Sequence, residues 1–278
     1  MSLAPTMSLS RIALASIRLA TRLWPLPFGQ GAPAHLGAFA TRIGMLSPEW
    51  YEFRPGLWMQ LNVRDLVQQT ILLEGIWDPS LTGFIETTLD PGDVFIDVGA
   101  HVGYFTLLAA SRVGPSGTVL SVEPNPIAME QLSRNVSRSG LRNVLAAHTA
   151  CGDSHDSVRL YLHTESNTSM ASLSSANATS GAAVDVSCTP LDDLCMERGL
   201  DRVRLVKIDV EGAELSVLRS MTRLLWRRKP VVVLELEPRL LASFGTTSDS
   251  VVAFLADHDY RVAPLGGHSN YVCHPVGG

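Results

Sequence analysis

From Asp93 onward short β-rich runs alternate with helical ones, the pattern of a parallel sheet covered by helices on both faces. Val94-Phe-Ile-Asp-Val98 reads as a buried strand, Tyr104–Val113 as a helix and Thr118–Val122 as the next strand. Pro126–Ser139 follows as a helix with Pro126 in its first turn, and Val144–His148 as a third strand. Val203–Asp209 and Val231–Glu237 are strands separated by the helical run Ala213–Trp226. The tail, helical over Val251–Asp257 and extended over Tyr260–Ala263 and Tyr271–Cys273, reads as an antiparallel edge. The expected class is therefore α/β, with a mostly parallel sheet.

Composition narrows the partners. Charged residues make up 18% of the 278 and apolar residues 46%, which suits a packed core and not a disordered chain. A net charge of -5 supplies no field for holding a phosphate backbone, so nucleic acid is not an expected partner. Cys151, Cys188, Cys195 and Cys273 lack the close pairing of a structural zinc site. They read as free thiols of a reducing compartment, and a cytoplasmic location is expected. Nothing in the sequence sets an oligomeric state.

Residues 1–50 form an amino-terminal extension, 51–90 a cap on the substrate side, and 91–278 the main domain. The extension has no acid before Glu49, and Arg18 interrupts its apolar run from Ile12 to Ala20. That run is too short for a membrane span and too broken for a signal core. A basic amphipathic helix lying on a membrane surface remains one reading of it, beside a helix packed on the protein or a frayed terminus. The segment from Trp50 to Asp90 holds Trp50, Trp58 and Trp77, residues able to wall a pocket or simply to pack, and Leu66–Leu73 has helical spacing. The Ser/Ala/Thr/Asn-rich stretch from Thr164 to Ala183 cannot build a core of its own; it reads as a lid or as disorder.

The sharpest local signal is Asp97-Val-Gly99-Ala100-His101-Val-Gly103, where a buried strand gives way to a helix. In an open α/β sheet such a turn lines the ligand crevice, and glycines let the backbone approach a ligand closely. Glu123 closes the next strand, where an acid can accept both hydroxyls of a ribose. Only two glycines are present, and Asp97 precedes them; a carboxylate there opposes a pyrophosphate but suits an ammonium or a sulfonium. This favours S-adenosylmethionine over a nicotinamide dinucleotide. His101 has two readings, a hydrogen bond to the cofactor or a role through its backbone alone.

The runs Asp93–Gly103, Val122-Glu-Pro-Asn125, Ala150-Cys-Gly-Asp153 and Lys207-Ile-Asp-Val-Glu-Gly212 resemble the FkbM-type S-adenosylmethionine-dependent methyltransferases over about residues 70–265. The resemblance implies a Rossmann-like seven-stranded methyltransferase fold and methyl transfer, usually to a hydroxyl of a sugar, glycolipid or polyketide-like product. It implies that Asp97, Gly99 and Gly103 line the methionine part of the cofactor, Glu123 the ribose and Asp153 the adenine amino group; Ala100 and His101, in the same turn, are further candidate cofactor contacts.

Lys207, Asp209 and Glu211 alternate along one predicted strand, and Glu235 and Glu237 along the next, so several acids are expected to converge at the crevice. Three readings stand. Asp209, or Glu211 or Glu237, orients or deprotonates the acceptor; the cluster holds a divalent metal; or Glu211 caps the helix beginning near Ala213, balanced by Lys207. The basic run Arg219, Arg223, Arg227, Arg228 and Lys229 reads as a solvated helix face rather than a phosphate site. The expected reaction is O-methylation of a small-molecule or glycan acceptor. The rivals are a NAD-linked oxidoreductase and a non-catalytic nucleoside-binding scaffold.

Overall fold

The computed structural model describes residues 50–61, 65–162, 171–175, 182–266 and 269–277. The amphipathic-helix reading of the extension lies outside them. The chain divides into two compact units, one ending at Trp77 and one beginning at Asp78. The helix Pro79–Thr88, placed by the sequence reading with the cap, therefore belongs to the second unit.

In the first unit, β1 (Trp50–Arg54) and β2 (Leu57–Gln60) form an antiparallel hairpin in which Glu52 lies opposite Trp58. The turn passes through Gly56 at φ 78°, and the Gly56 N–H donates to Glu52 Oε1 at 2.7 Å. Helix α1 (Leu66–Glu74) starts at Asp65, whose carboxylate accepts the Gln68 N–H at 3.0 Å, and stops at the left-handed Gly75.

The second unit runs α2 (Pro79–Thr88), β3 (Val94–Val98), α3 (Tyr104–Val113), β4 (Thr118–Val122), α4 (Pro126–Arg138), β5 (Val144–Ala147) and β6 (Ala150–Cys151). It continues with β7 (Ser157–Tyr161), β8 (Ala183–Thr189), α5 (Leu191–Glu197), β9 (Val203–Ile208), α6 (Glu214–Arg219) and α7 (Thr222–Arg227). The last elements are β10 (Val231–Glu235), α8 (Pro238–Ala242), α9 (Ser248–Asp257), β11 (Tyr260–Pro264) and β12 (Asn270–Pro275). Seven strands form one sheet in the order β11-β12-β10-β9-β3-β4-β5. Among them only β12 is reversed, antiparallel to both β10 and β11. The reversed strand thus sits one place in from the edge, and β11 closes the sheet. Ile96, Leu120, Val206 and Val232 have no exposed surface, as expected of strands covered on both faces.

The expected helix Ala213–Trp226 is instead two short helices, α6 and α7. The break has a physical cause. The Ser220 hydroxyl donates to Val217 O at 2.7 Å, and the Asp192 carboxylate accepts the N–H groups of Arg223 and Leu224 at 2.8 and 3.0 Å, starting a new helix from outside. The basic run is partly paired: Arg228 meets Asp201 at 3.1 Å and Lys229 meets Asp259 at 3.7 Å.

The sequence reading missed a small second sheet, β6-β8-β7. The Ser/Ala-rich stretch connects two of its strands, β7 and β8. Of its described residues, 171–175 and 182–183, the first group returns to the sheet at Ser172, which exchanges two backbone hydrogen bonds with Tyr161. The remainder, and with it the lid reading, lies outside the described residues. All four cysteines are buried free thiols. Among the described residues no helix is long and apolar enough to cross a membrane.

Candidate functional site

From β3 the chain winds through β4 to β5 on one side of the sheet, then through β9 to β10 on the other. The winding reverses between β3 and β9, so their carboxyl ends border the crevice where doubly wound sheets take ligands. Two segments meet there: the turn after β3 and the loop after β9. The Asp209 N–H donates to Val98 O at 3.1 Å and joins them.

The turn is held by backbone contacts. Gly99, His101 and Gly103 all have left-handed φ values, 75°, 49° and 90°. The N–H groups of Gly99 and Ala100 donate to Val122 O at 2.9 and 3.1 Å, and the Gly103 N–H to Ala100 O at 2.9 Å. The expected reason for the glycines, room for a ligand, is not the close contact found. A Cβ on Gly99 would lie 1.8 Å from the Asp209 carbonyl oxygen, and one on Gly103 would lie 3.0 Å from Leu132 Cγ. Gly99 is demanded by the loop after β9, and Gly103 by α4. Ala100 is buried against Met129 and Leu132. His101 is engaged through its backbone, its N–H donating to Glu123 Oε2 at 2.8 Å.

Asp97 departs from expectation. Its side chain has no exposed surface, so it does not face the crevice as the charge argument required. The reason is its partners: Oδ2 accepts the Thr106 hydroxyl at 2.7 Å, and Oδ1 lies 3.3 Å from the Lys207 ammonium. Burial raises the Asp97 carboxyl, and Lys207 opposes that shift. Glu123 is also buried. It accepts the N–H groups of His101 and Asn125, both at 2.8 Å, yet burial still pushes it up to about 7.

Beyond Ile208 the alternation assumed for the next acids ends, because β9 stops there and Glu211 adopts φ 56°. Asp209 stands at the rim with its side chain 38% exposed and its Oδ2 3.4 Å from Lys207 Nζ. The acid that holds the start of α6 is Glu214, not Glu211. Glu214 Oε1 accepts from the N–H groups of Val210 and Gly212 at 3.2 and 3.1 Å, while its Oε2 is buried with no hydrogen-bond partner. Burial pushes Glu214 up to about 7. Burial and then the charge of Asp209 push Glu211 up to about 8. Burial, the Asp209 charge and a hydrogen bond with Asp209 push Glu235 to about 8.

Two further predicted residues each hold a side-chain hydrogen bond within the protein. Glu237 lies past the end of β10 and accepts the Ser269 hydroxyl at 3.1 Å as α8 begins. Asp153 Oδ1 accepts the Ser216 hydroxyl at 2.9 Å. Among the described residues no group of three or more His, Cys, Asp or Glu side chains is arranged to hold a metal ion.

Residues 97–262, more than half of the chain, match the Methyltransferase FkbM domain. The chain belongs to the FkbM methyltransferase family. The chain is similar to the AMB antimetabolite synthetase AmbE of Pseudomonas aeruginosa, 26% identical over 78% of this chain and 12% of that protein. Methyltransferase 1 of Beauveria bassiana is 31% identical over 52% of this chain and 66% of its own length. The 31-O-demethyl-FK506 methyltransferase FkbM of Streptomyces tacrolimicus is 28% identical over 63% of this chain and 75% of its own. The chain thus spans less than two thirds of the first two relatives.

In this FkbM-family chain the run Lys207–Gly212 carries the crowded half of the site. Sequence reasoning gave Lys207 only a balancing role beside Glu211. Its actual partners, Asp97 and Gly99, lie on another strand and turn, a pairing that single-sequence spacing does not reveal. Glu214 was missed as well, although an acid at the start of a helix is a readable capping signal.

Proposed function

We propose that this chain transfers the methyl group of S-adenosylmethionine to a hydroxyl oxygen of a small-molecule or glycan acceptor. The crevice residues suit that cofactor by charge. Asp209, Glu211 and Glu235 crowd the loop side, and Lys207 is buried and already committed to acids. A pyrophosphate brought there would meet Asp209, whereas an ammonium or a sulfonium would meet that carboxylate and favour ionisation of Glu211 and Glu235, which burial otherwise holds near 8. When bound, the cofactor supplies an electrophilic methyl group. The charge preference first attached to Asp97 passes to Asp209, the rim acid that is 38% exposed.

Asp209 carries the reading. It is the half-exposed carboxylate at the switch point, fixed by Lys207 on one side and hydrogen-bonded with Glu235 on the other. Burial and the Asp209 charge favour the protonated form of Glu235, and Asp209, at the rim, is placed to orient the acceptor hydroxyl and accept its proton. Glu123, gripping two backbone N–H groups of the neighbouring turns, keeps lone pairs for a ribose diol. The acceptor is taken to be a free small molecule or glycan in a reducing, cytoplasmic setting, with no nucleic acid involved.

The test joins calorimetry to a screen with methyl-labelled cofactor across candidate alcohols. S-adenosylhomocysteine should bind the intact chain, and Asp209→Asn should lower turnover by roughly 10²-fold or more with its affinity for S-adenosylhomocysteine little changed. Absence of binding heat sinks the cofactor assignment; undiminished turnover in Asp209→Asn removes the role given to that carboxylate.

A further inference from the structure

We infer that Lys207 is a positioning residue for the proposed methyl transfer, coupling the turn after β3 to Asp209 by binding the Gly99 carbonyl and the carboxylates of Asp97 and Asp209 together. The inference rests on the reading above for its catalytic meaning, but its geometry is independent of any ligand. An ammonium has three N–H donors and no acceptor. Three oxygens surround this one: Gly99 O at 3.0 Å, Asp97 Oδ1 at 3.3 Å and Asp209 Oδ2 at 3.4 Å. They come from three places, the turn, β3 and the loop after β9.

Two further observations point the same way. Lys207 lies at the end of β9, 3% exposed, with the Phe105 ring of α3 5.5 Å from its Nζ, so water does not compete for its donors. The Gly99 Cα also packs so closely on the Asp209 backbone that a methyl group there would fall 1.8 Å from the Asp209 carbonyl oxygen. The backbone of Asp209 is thereby fixed to the turn, and Lys207 fixes its carboxylate to the same turn. A shift of the turn that moves Gly99 O must move the ammonium, and the ammonium must move the Asp209 carboxylate. Alignment of the acid is tied to the segment that would hold the cofactor.

The charges facing Lys207 come from several elements: Asp97 on β3, Glu123 after β4, Asp209 and Glu211 in its own loop, and Glu235 on β10. Burial alone would lower the lysine, but Asp97 and Asp209 raise it above its ordinary value.

The chain contains two lysines, Lys207 and Lys229, which makes the test direct. In full-length protein labelled with ¹³C and ¹⁵N, the Lys207 side-chain signal should stay in its ammonium form past the ordinary lysine value of 10.5. A Lys207 that loses its proton at or below that value overturns the inference, and no variant has to fold for that result. In the double variant Asp97→Asn/Lys207→Met, which leaves no buried unpaired charge, the Asp209 carboxyl signal should titrate at least about one pH unit higher than in the parent. An Asp209 midpoint unchanged in the folded double variant also overturns it. S-adenosylhomocysteine binding to the parent separates the two ideas: lysine and carboxyl titrations as expected without binding defeat the methyltransferase reading alone. Binding with unmoved titrations defeats this inference alone.

Discussion

In the turn after β3 the buried acids have found partners, Asp97 with Thr106 and Lys207, Glu123 with two backbone N–H groups. In the loop after β9 the acids press on one another: the charge of Asp209 raises Glu211, Glu214 and Glu235, and Glu214 Oε2, like Asp97 Oδ1 in the turn, has no hydrogen bond. The first segment acts as a scaffold, each of its acids held by at least one partner. The second stores unfavourable charge that a cationic ligand or a proton can relieve. Buried like charges cost stability, and such cost concentrates where a protein works on a ligand.

The sharpest way to break this contrast is at its joint. Gly99→Ala adds a left-handed alanine and a methyl group aimed at the Asp209 carbonyl oxygen, and should cost about 3–5 kcal/mol in urea unfolding. Gly245→Ala is the control, since Gly245 has φ 66° but nothing within 4 Å of an added Cβ. It should cost only about 1–2 kcal/mol. Equal costs at the two glycines would mean that the turn and the loop are not locked together.

The next effect lies within the loop. Glu214→Ala removes the acceptor for the Val210 and Gly212 N–H groups and should cost about 2 kcal/mol, while Glu214→Gln keeps an acceptor oxygen and should cost less. A cost for Glu214→Gln as large as for Glu214→Ala would show that the charge of Glu214, not its bonds to the backbone, is what the loop requires.

How much of this the residues announce depends on range. The alternation of apolar runs placed every strand of the main sheet, because a strand buried on both faces must be apolar throughout. The β6-β8-β7 sheet was not legible, since β8 follows Ser-, Ala- and Thr-rich chain and alternates exposed with buried residues beside its one buried face. The interruption between α6 and α7 was hidden for another reason: its cause, Asp192, lies thirty-one residues before Arg223, and helical periodicity carries no trace of such a cap. The site divides in the same way. Asp97, Glu123 and Asp209 could be picked from strand ends, but that Asp97 points inward follows only from its distance to Lys207, a residue 110 positions later in the sequence.

The smallest expected effect sharpens the electrostatic half of the comparison. Glu211 and Glu235 have an ordinary value of 4.5 and are held near 8 in the folded chain, so between those limits the native state binds more protons than the unfolded one. Stability from these groups is therefore fully present below about pH 4.5 and is lost as pH rises towards about 8. Thermal or urea unfolding should show a decline across that window, and Glu235→Gln should reduce it, because the amide cannot ionise. Asp97, raised by burial against the opposing charge of Lys207, would add to the decline from the turn side. A decline that persists unchanged in Glu235→Gln would place the stored charge elsewhere, with Glu123 on the turn side, raised to about 7, as the next group to replace.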